Sequence, residues 1–207
     1  MWASPPSCGL VRSGETPLAI GRSQDGTEDV IYVGGTEFHF SGLCAFRPNG
    51  DLKWTTQKNN PDQRAPGPLN LTKGPSIGPD GTLYSTAYLY DQAAGSGSTH
   101  FVALDPASGL AKWSVAFPDS GLDTGDVLVA ANHRAYFSNG GRLWTVDLVN
   151  HAISFIERSP DSPFTGGSLS LSSTGILYAA SGSAFSLFTV PYTVETFYAG
   201  AGLAARP

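Results

Sequence analysis

The chain has 207 residues, 41% hydrophobic and only 14% charged, with a formal net charge of −5. So few charges argue against a solvated coiled coil or a charged disordered tail, and the acidic balance removes the electrostatic reason to expect nucleic acid or anionic lipid as a partner. Glycine (25) and proline (15) are abundant, and no run reaches the roughly 18 apolar residues of a membrane helix, which points to a soluble, turn-rich β globule without a membrane span.

In chain order, the first thirty residues lack a basic stretch followed by an apolar run, so no intact signal peptide is expected there. Residues 17–33, ending Val30-Ile31-Tyr32-Val33, read as strand, turn and strand. At 43–54, LCAFRPNGDLKW, two apolar runs flank Asn49-Gly50, the tight-turn dipeptide of a hairpin, with Trp54 closing the second run. Cys44 sits in the first run; with Cys8 it permits one disulfide at most, and the reading is two unlinked thiols with Cys44 packed in a strand. A long connection, 55–72, leads to PSIGPDGTLY at 75–84, a second strand–turn–strand. Residues 88–99, YLYDQAAGSGST, read as a long loop, followed by FVALDPASGLAKW at 101–113, a hairpin ending in Trp113. The pattern returns at 127–137, at 143–155 with Asp147 kept and Phe155 in place of tryptophan, and at 168–178. A last copy, 187–197, keeps two apolar runs but has lost the aspartate and glycine of the turn.

The second strand of each unit places a tyrosine at Tyr32, Tyr84, Tyr136 and Tyr178. Four-stranded units recurring every 40–50 residues or so are the sequence mark of propeller blades. The expectation is one all-β domain over 1–207, a β-propeller of about four four-stranded antiparallel blades at 16–57, 72–117, 122–158 and 165–198. Each sheet has two apolar faces that only stacking can bury, so Trp54, Trp113, Phe155 and the tyrosines are assigned to inter-blade packing. Either a small closed ring, with Trp2 in the last blade, or part of a larger propeller, including a half completed by a dimer, satisfies this pattern.

These hairpins resemble the PQQ-like, quinoprotein-dehydrogenase-type propeller repeat. Ala103, Asp105, Gly109 and Trp113 match its blade motif in order and spacing; Ala45, Gly50 and Trp54 match it in the first blade, with Arg47 where the aspartate would be. The resemblance implies the fold and a choice between non-catalytic assembly scaffolds and true quinoprotein dehydrogenases. Those enzymes resemble eight-bladed rings with an adjacent-cysteine disulfide and a carboxylate-rich calcium site. Cys8 and Cys44 are not adjacent, so the cofactor is not carried over and none is expected.

The sequence offers little chemistry. His39, His100, His133 and His151 are scattered without metal-ligand spacing and read as surface or edge histidines, so no metal site is expected. No nucleophile elbow or phosphate loop occurs. Asp119, Asp123 and Asp126 form a local acidic group that reads as a connection between blades. The loops carry more, because loops beyond about 12–15 residues are uncommon without a use. The connection 55–72 and the loop 88–99 emerge on the same face, which is expected to bind a protein or glycan partner through Asn59, Asn60, Asp62, Arg64, Tyr88, Tyr90, Asp91 and Gln92. The function expected is a non-catalytic, extracytoplasmic binding or scaffolding module. The alternative is a relative or fragment of a quinoprotein dehydrogenase, which saturable uptake of PQQ with calcium would reveal.

Overall fold

The structure, a computed structural model, describes residues 18–23, 25–37, 40–56, 70–71, 74–91, 96–118, 124–139, 142–157, 169–181 and 193–198. Among them every regular element is a strand. The first sheet runs β1 (Leu18–Arg22), β2 (Asp29–Glu37), β3 (Phe40–Phe46), β4 (Leu52–Thr55), in that spatial order and antiparallel throughout. In the second, two short pieces, β5 (Asn70–Leu71) and β6 (Ser76–Ile77), share one side of β7 (Leu83–Asp91), followed by β8 (Ser96–Leu104) and β9 (Ala111–Phe117). The third is a regular meander of β10 (Leu128–Ala130), β11 (Arg134–Asn139), β12 (Arg142–Asp147) and β13 (Ile153–Glu157). The fourth has β14 (Leu169–Leu171), β15 (Ile176–Ser181) and β16 (Thr193–Tyr198). The chain is therefore all-β, with four sheets of propeller-blade topology, as the repeats indicate.

The fourth sheet departs from the sequence reading of 187–197 as a third-to-fourth-strand hairpin. Thr193–Tyr198 pairs directly with β15, Ile176 opposite Tyr198 and Ser181 opposite Thr193, and so takes the third position. The Asp and Gly that close the other hairpins are missing there, and Pro191 cannot donate into a ladder.

Residues 1–122 and 123–207 form two compact units. In the first, the face of the first sheet bearing Ala19, Val30, Tyr32, Leu43, Ala45 and Trp54 packs on Leu71, Ile77, Leu83, Ala87, Val102 and Leu104 of the second. Trp54 fixes this joint. Its ring lies 2.6 Å from where a Cβ on Gly109 would stand, and its Nε1–H donates to the Pro106 carbonyl at 3.0 Å. Gly109 is thus required twice, for its φ of 72° and for the room it leaves the indole. The Asp105 carboxylate holds the turn by accepting from the Ala107 and Ser108 N–H groups at 3.0 and 2.9 Å. In the second unit Ala130, Tyr136 and Leu143 pack on Leu177 and Ala179, with Leu128, Ile156, Leu169 and Leu171 around them.

The last hairpins of the first two sheets carry a β-bulge. Phe46 pairs with Leu52 but Ala45 with Trp54; Leu104 pairs with Ala111 but Ala103 with Trp113. The extra residues are Lys53 and Lys112. Each bulge puts the following tryptophan on the same face as its sheet's tyrosine, with Tyr32 and Trp54 rings 5.9 Å apart and Tyr84 and Trp113 6.1 Å apart. It also frees the lysines to reach the first turn of their own sheets: Lys53 pairs with Glu28, and Lys112 Nζ donates to Thr82 Oγ1 at 2.9 Å.

The third sheet has no such bulge, and this corrects the role given to Phe155. Trp144 pairs with Phe155, and Thr145 with Ser154, so Phe155 falls on the face opposite Tyr136. It is 41% exposed, lies 4.8 Å from the Trp144 ring and is covered by the Arg142 guanidinium at 4.5 Å. On that same face Trp144 is buried and stacked on the buried Phe137. The reading of two unlinked thiols is also overturned. Cys44 is disulfide-bonded, and the chain's only other cysteine is Cys8.

Candidate functional site

The sequence places binding residues at one end of the sheets, and the structure describes part of that end. Asn59, Asn60, Asp62, Arg64 and Gln92 lie outside the described residues. The other three lie on one strand, β7. The described residues of 88–99 are strand rather than loop: β7 continues to Asp91 and β8 starts at Ser96, with Tyr88 opposite Thr99, Tyr90 opposite Gly97 and Asp91 opposite Ser96. The physical reason lies in two residue types. Alternating tyrosines suit a pleated surface, and Gly97 leaves a bare backbone against which an aromatic ring can lie. A Cβ at Gly97 would stand 2.3 Å from the Tyr88 ring, so only glycine admits this arrangement. Tyr88, half-buried, is thereby held flat on the neighbouring strand near the hairpin end.

The opposite face of the hairpin holds His100, set between Ala87 and Ala116 across the sheet. Its Nε2 is 2.8 Å from Ser98 Oγ, while its Nδ1 is buried without a hydrogen-bond partner. Burial pushes its pKa below the usual 6.5, which keeps the ring uncharged at neutral pH. On the Tyr88 face, the buried Thr99 Oγ1 also lacks a partner. Reading His100 as a surface or edge histidine misses this. The alternation His100, Val102, Leu104 was the available signal, since the last two face the core.

The other end of the first two sheets is built differently. Its carboxylates close their own turns. Asp25 accepts from Ser23 Oγ at 2.5 Å and from Thr27 Oγ1 at 2.8 Å and its N–H at 3.1 Å, which lowers its pKa to about 2. At Asp80, burial works to raise the pKa, but the Thr82 hydroxyl and N–H at 2.6 and 3.1 Å outweigh it and the net direction is down. Asn49 accepts from the Asp51 N–H at 3.0 Å. Of the blade-motif residues, Ala45, Ala103, Gly50, Gly109, Trp54, Trp113 and Asp105 all belong to these hairpins or their turns, and Asp147 opens the matching turn of the third sheet. Among the described residues no group of three or more His, Cys, Asp or Glu side chains is placed to hold a metal ion.

No family model matches the chain, and no curated protein matches it. Solved structures do. A catalytically inactive virginiamycin B lyase from Staphylococcus aureus, solved with quinupristin, aligns over 92% of this chain and 58% of its own, at 13% identity and a TM-score of 0.49. A protein of unknown function from Bacteroides caccae aligns over 90% and 80% respectively, at 11% identity and a TM-score of 0.41. BamB from Moraxella catarrhalis aligns over 97% and 60%, at 15% identity and a TM-score of 0.35. The chain thus spans about three fifths of the lyase and of BamB. The fold assignment rests on the sheets themselves: an all-β chain of antiparallel, propeller-type blades.

Proposed function

We propose that this chain is a non-catalytic binding or scaffolding module of an extracytoplasmic compartment, taking a protein or glycan partner at the end of its sheets where the β7–β8 hairpin projects. The observation that carries this is the Tyr88 ring laid over Gly97. It turns what reads as a flexible loop into a preorganised aromatic surface, and such surfaces bind at low entropic cost. The opposite end supports the same choice, since its carboxylates are already engaged by their own turns. The disulfide at Cys44 supports the compartment, because such bonds persist where the surroundings are oxidising.

The test is positional. A photo-reactive amino acid at Tyr88 or Tyr90 should give adducts in the producing cells, whereas one at Ala107, in the Asp105 turn, should not. A glycan array with wild type and Tyr88→Ala separates the partner classes. Adducts from Ala107 alone would reverse the assignment of the binding end.

A further inference from the structure

The turn that joins β3 to β4 carries a reactive pair. Asn49 is exposed and precedes Gly50, which has no side chain to shield its nitrogen. In such a pair the glycine nitrogen attacks the asparagine Cγ: its proton leaves to base, a C–N bond forms, and ammonia departs from the carboxamide. Water then opens the cyclic imide at either carbonyl, giving aspartate, or isoaspartate with an extra carbon in the main chain. Asn139-Gly140 is the other such pair in the sequence, and its asparagine is fully buried.

In the turn both reacting groups are engaged. The Gly50 N–H donates to the Arg47 carbonyl at 2.9 Å. The Asn49 carboxamide accepts from the Asp51 N–H at 3.0 Å and donates through Nδ2 to Asp51 Oδ2 at 2.9 Å. A proton held in a hydrogen bond is not open to base, and a carboxamide held at both ends does not swing onto the Gly50 nitrogen. Ammonia loss therefore waits on local opening of the turn. Either product works against the turn once formed. Aspartate at position 49 sets a carboxylate against Asp51, while the neighbouring Arg47 and Lys53 both pair with Glu28. Isoaspartate lengthens the chain ahead of the bulge at Lys53 that aims Trp54 at the Gly109 turn. We propose that Asn49 is a site of self-modification: the hairpin locks it against ammonia loss, and the product formed on opening unseats Trp54.

The test keeps the whole chain at mildly alkaline pH in heavy-oxygen water, folded or in urea, and follows conversion by peptide mass spectrometry and isoaspartyl methyltransferase labelling. In the folded chain Asn49 should convert ahead of Asn139, and in urea it should convert about tenfold or more faster than in the fold. Asp51→Ala removes the acceptor of Asn49 Nδ2; it should speed conversion in the fold by about threefold or more and leave the rate in urea unchanged. The isolated isoaspartate form should exchange its Trp54 indole N–H about tenfold faster than fresh protein, read by NMR. Equal rates folded and in urea, or no acceleration in Asp51→Ala, would overturn the lock. Conversion of Asn139 first would overturn the site, and unchanged indole exchange would overturn the link to Trp54.

Discussion

The second and third sheets close their last hairpins with the same aspartate but to different effect. After Asp105 the chain reaches Gly109 at φ 72° and a bulge at Lys112; after Asp147 it reaches His151 at φ 57° and continues without a bulge. One inserted residue decides which face the closing aromatic takes. With the bulge, Trp113 joins Tyr84; without it, Phe155 lands on the side opposite Tyr136. A repeat read at constant spacing thus conceals a change of face, because strand parity has a period of two and any odd insertion inverts it.

The largest loss is expected at Trp54, which uses the Gly109 turn as its seat. Trp54→Ala should cost about 3–5 kcal/mol in the stability of the first unit, read by denaturant unfolding, because it leaves a cavity and an unused carbonyl at Pro106. Gly109→Ala follows, at about 2–4 kcal/mol, since it adds both a left-handed strain and a methyl inside the indole ring. Should Gly109→Ala prove neutral, the indole does not rest on this turn. In the third sheet the expected change has the opposite sign. Its first turn holds His133 at φ 58°, where Gly26, Gly81 and Gly175 serve the other sheets. His133→Gly should therefore raise the melting temperature, gaining up to about 1 kcal/mol.

The smallest effect is electrostatic. Hydrogen bonds from the Asn150 and Val149 N–H groups hold the Asp147 carboxyl below its ordinary value, so between the folded pKa and about 4 the unfolded chain binds more protons than the native one. The contribution is present above about pH 4 and fades as pH falls through the folded value. The Val149 and Asn150 amide resonances should report that fall in the wild type and lose it in Asp147→Asn.

The fold was legible because its signals are local. Asn49-Gly50, Pro79-Asp80-Gly81 and Asp105-to-Gly109 each announce a turn from four or five residues, and apolar alternation supplies the strands between them. What escaped depends on contacts that no short window contains. Tyr88 and Tyr90 looked like loop residues because the serine- and glycine-rich run at 94–99 resembles a linker; the Tyr88 ring resting on Gly97 suits residues 96–99 to a strand. Cys44 is disulfide-bonded, and the other cysteine of the sequence stands 36 positions away, a spacing that gave no reason to draw a bond. The fourth sheet's third strand was displaced by one place because a hairpin lacking its Asp and Gly leaves the count of strands undetermined.

The bulged Lys53-Trp54 pair gives the two sheets of the first unit a direction. The lysine bonds backward to Glu28 in its own sheet, while the indole leans forward onto Gly109 in the next. Sheets joined this way are not interchangeable beads. The bare Gly109 is what lets the indole of the preceding sheet seat on the following one, so within the first unit the order of the two sheets is written into their seam.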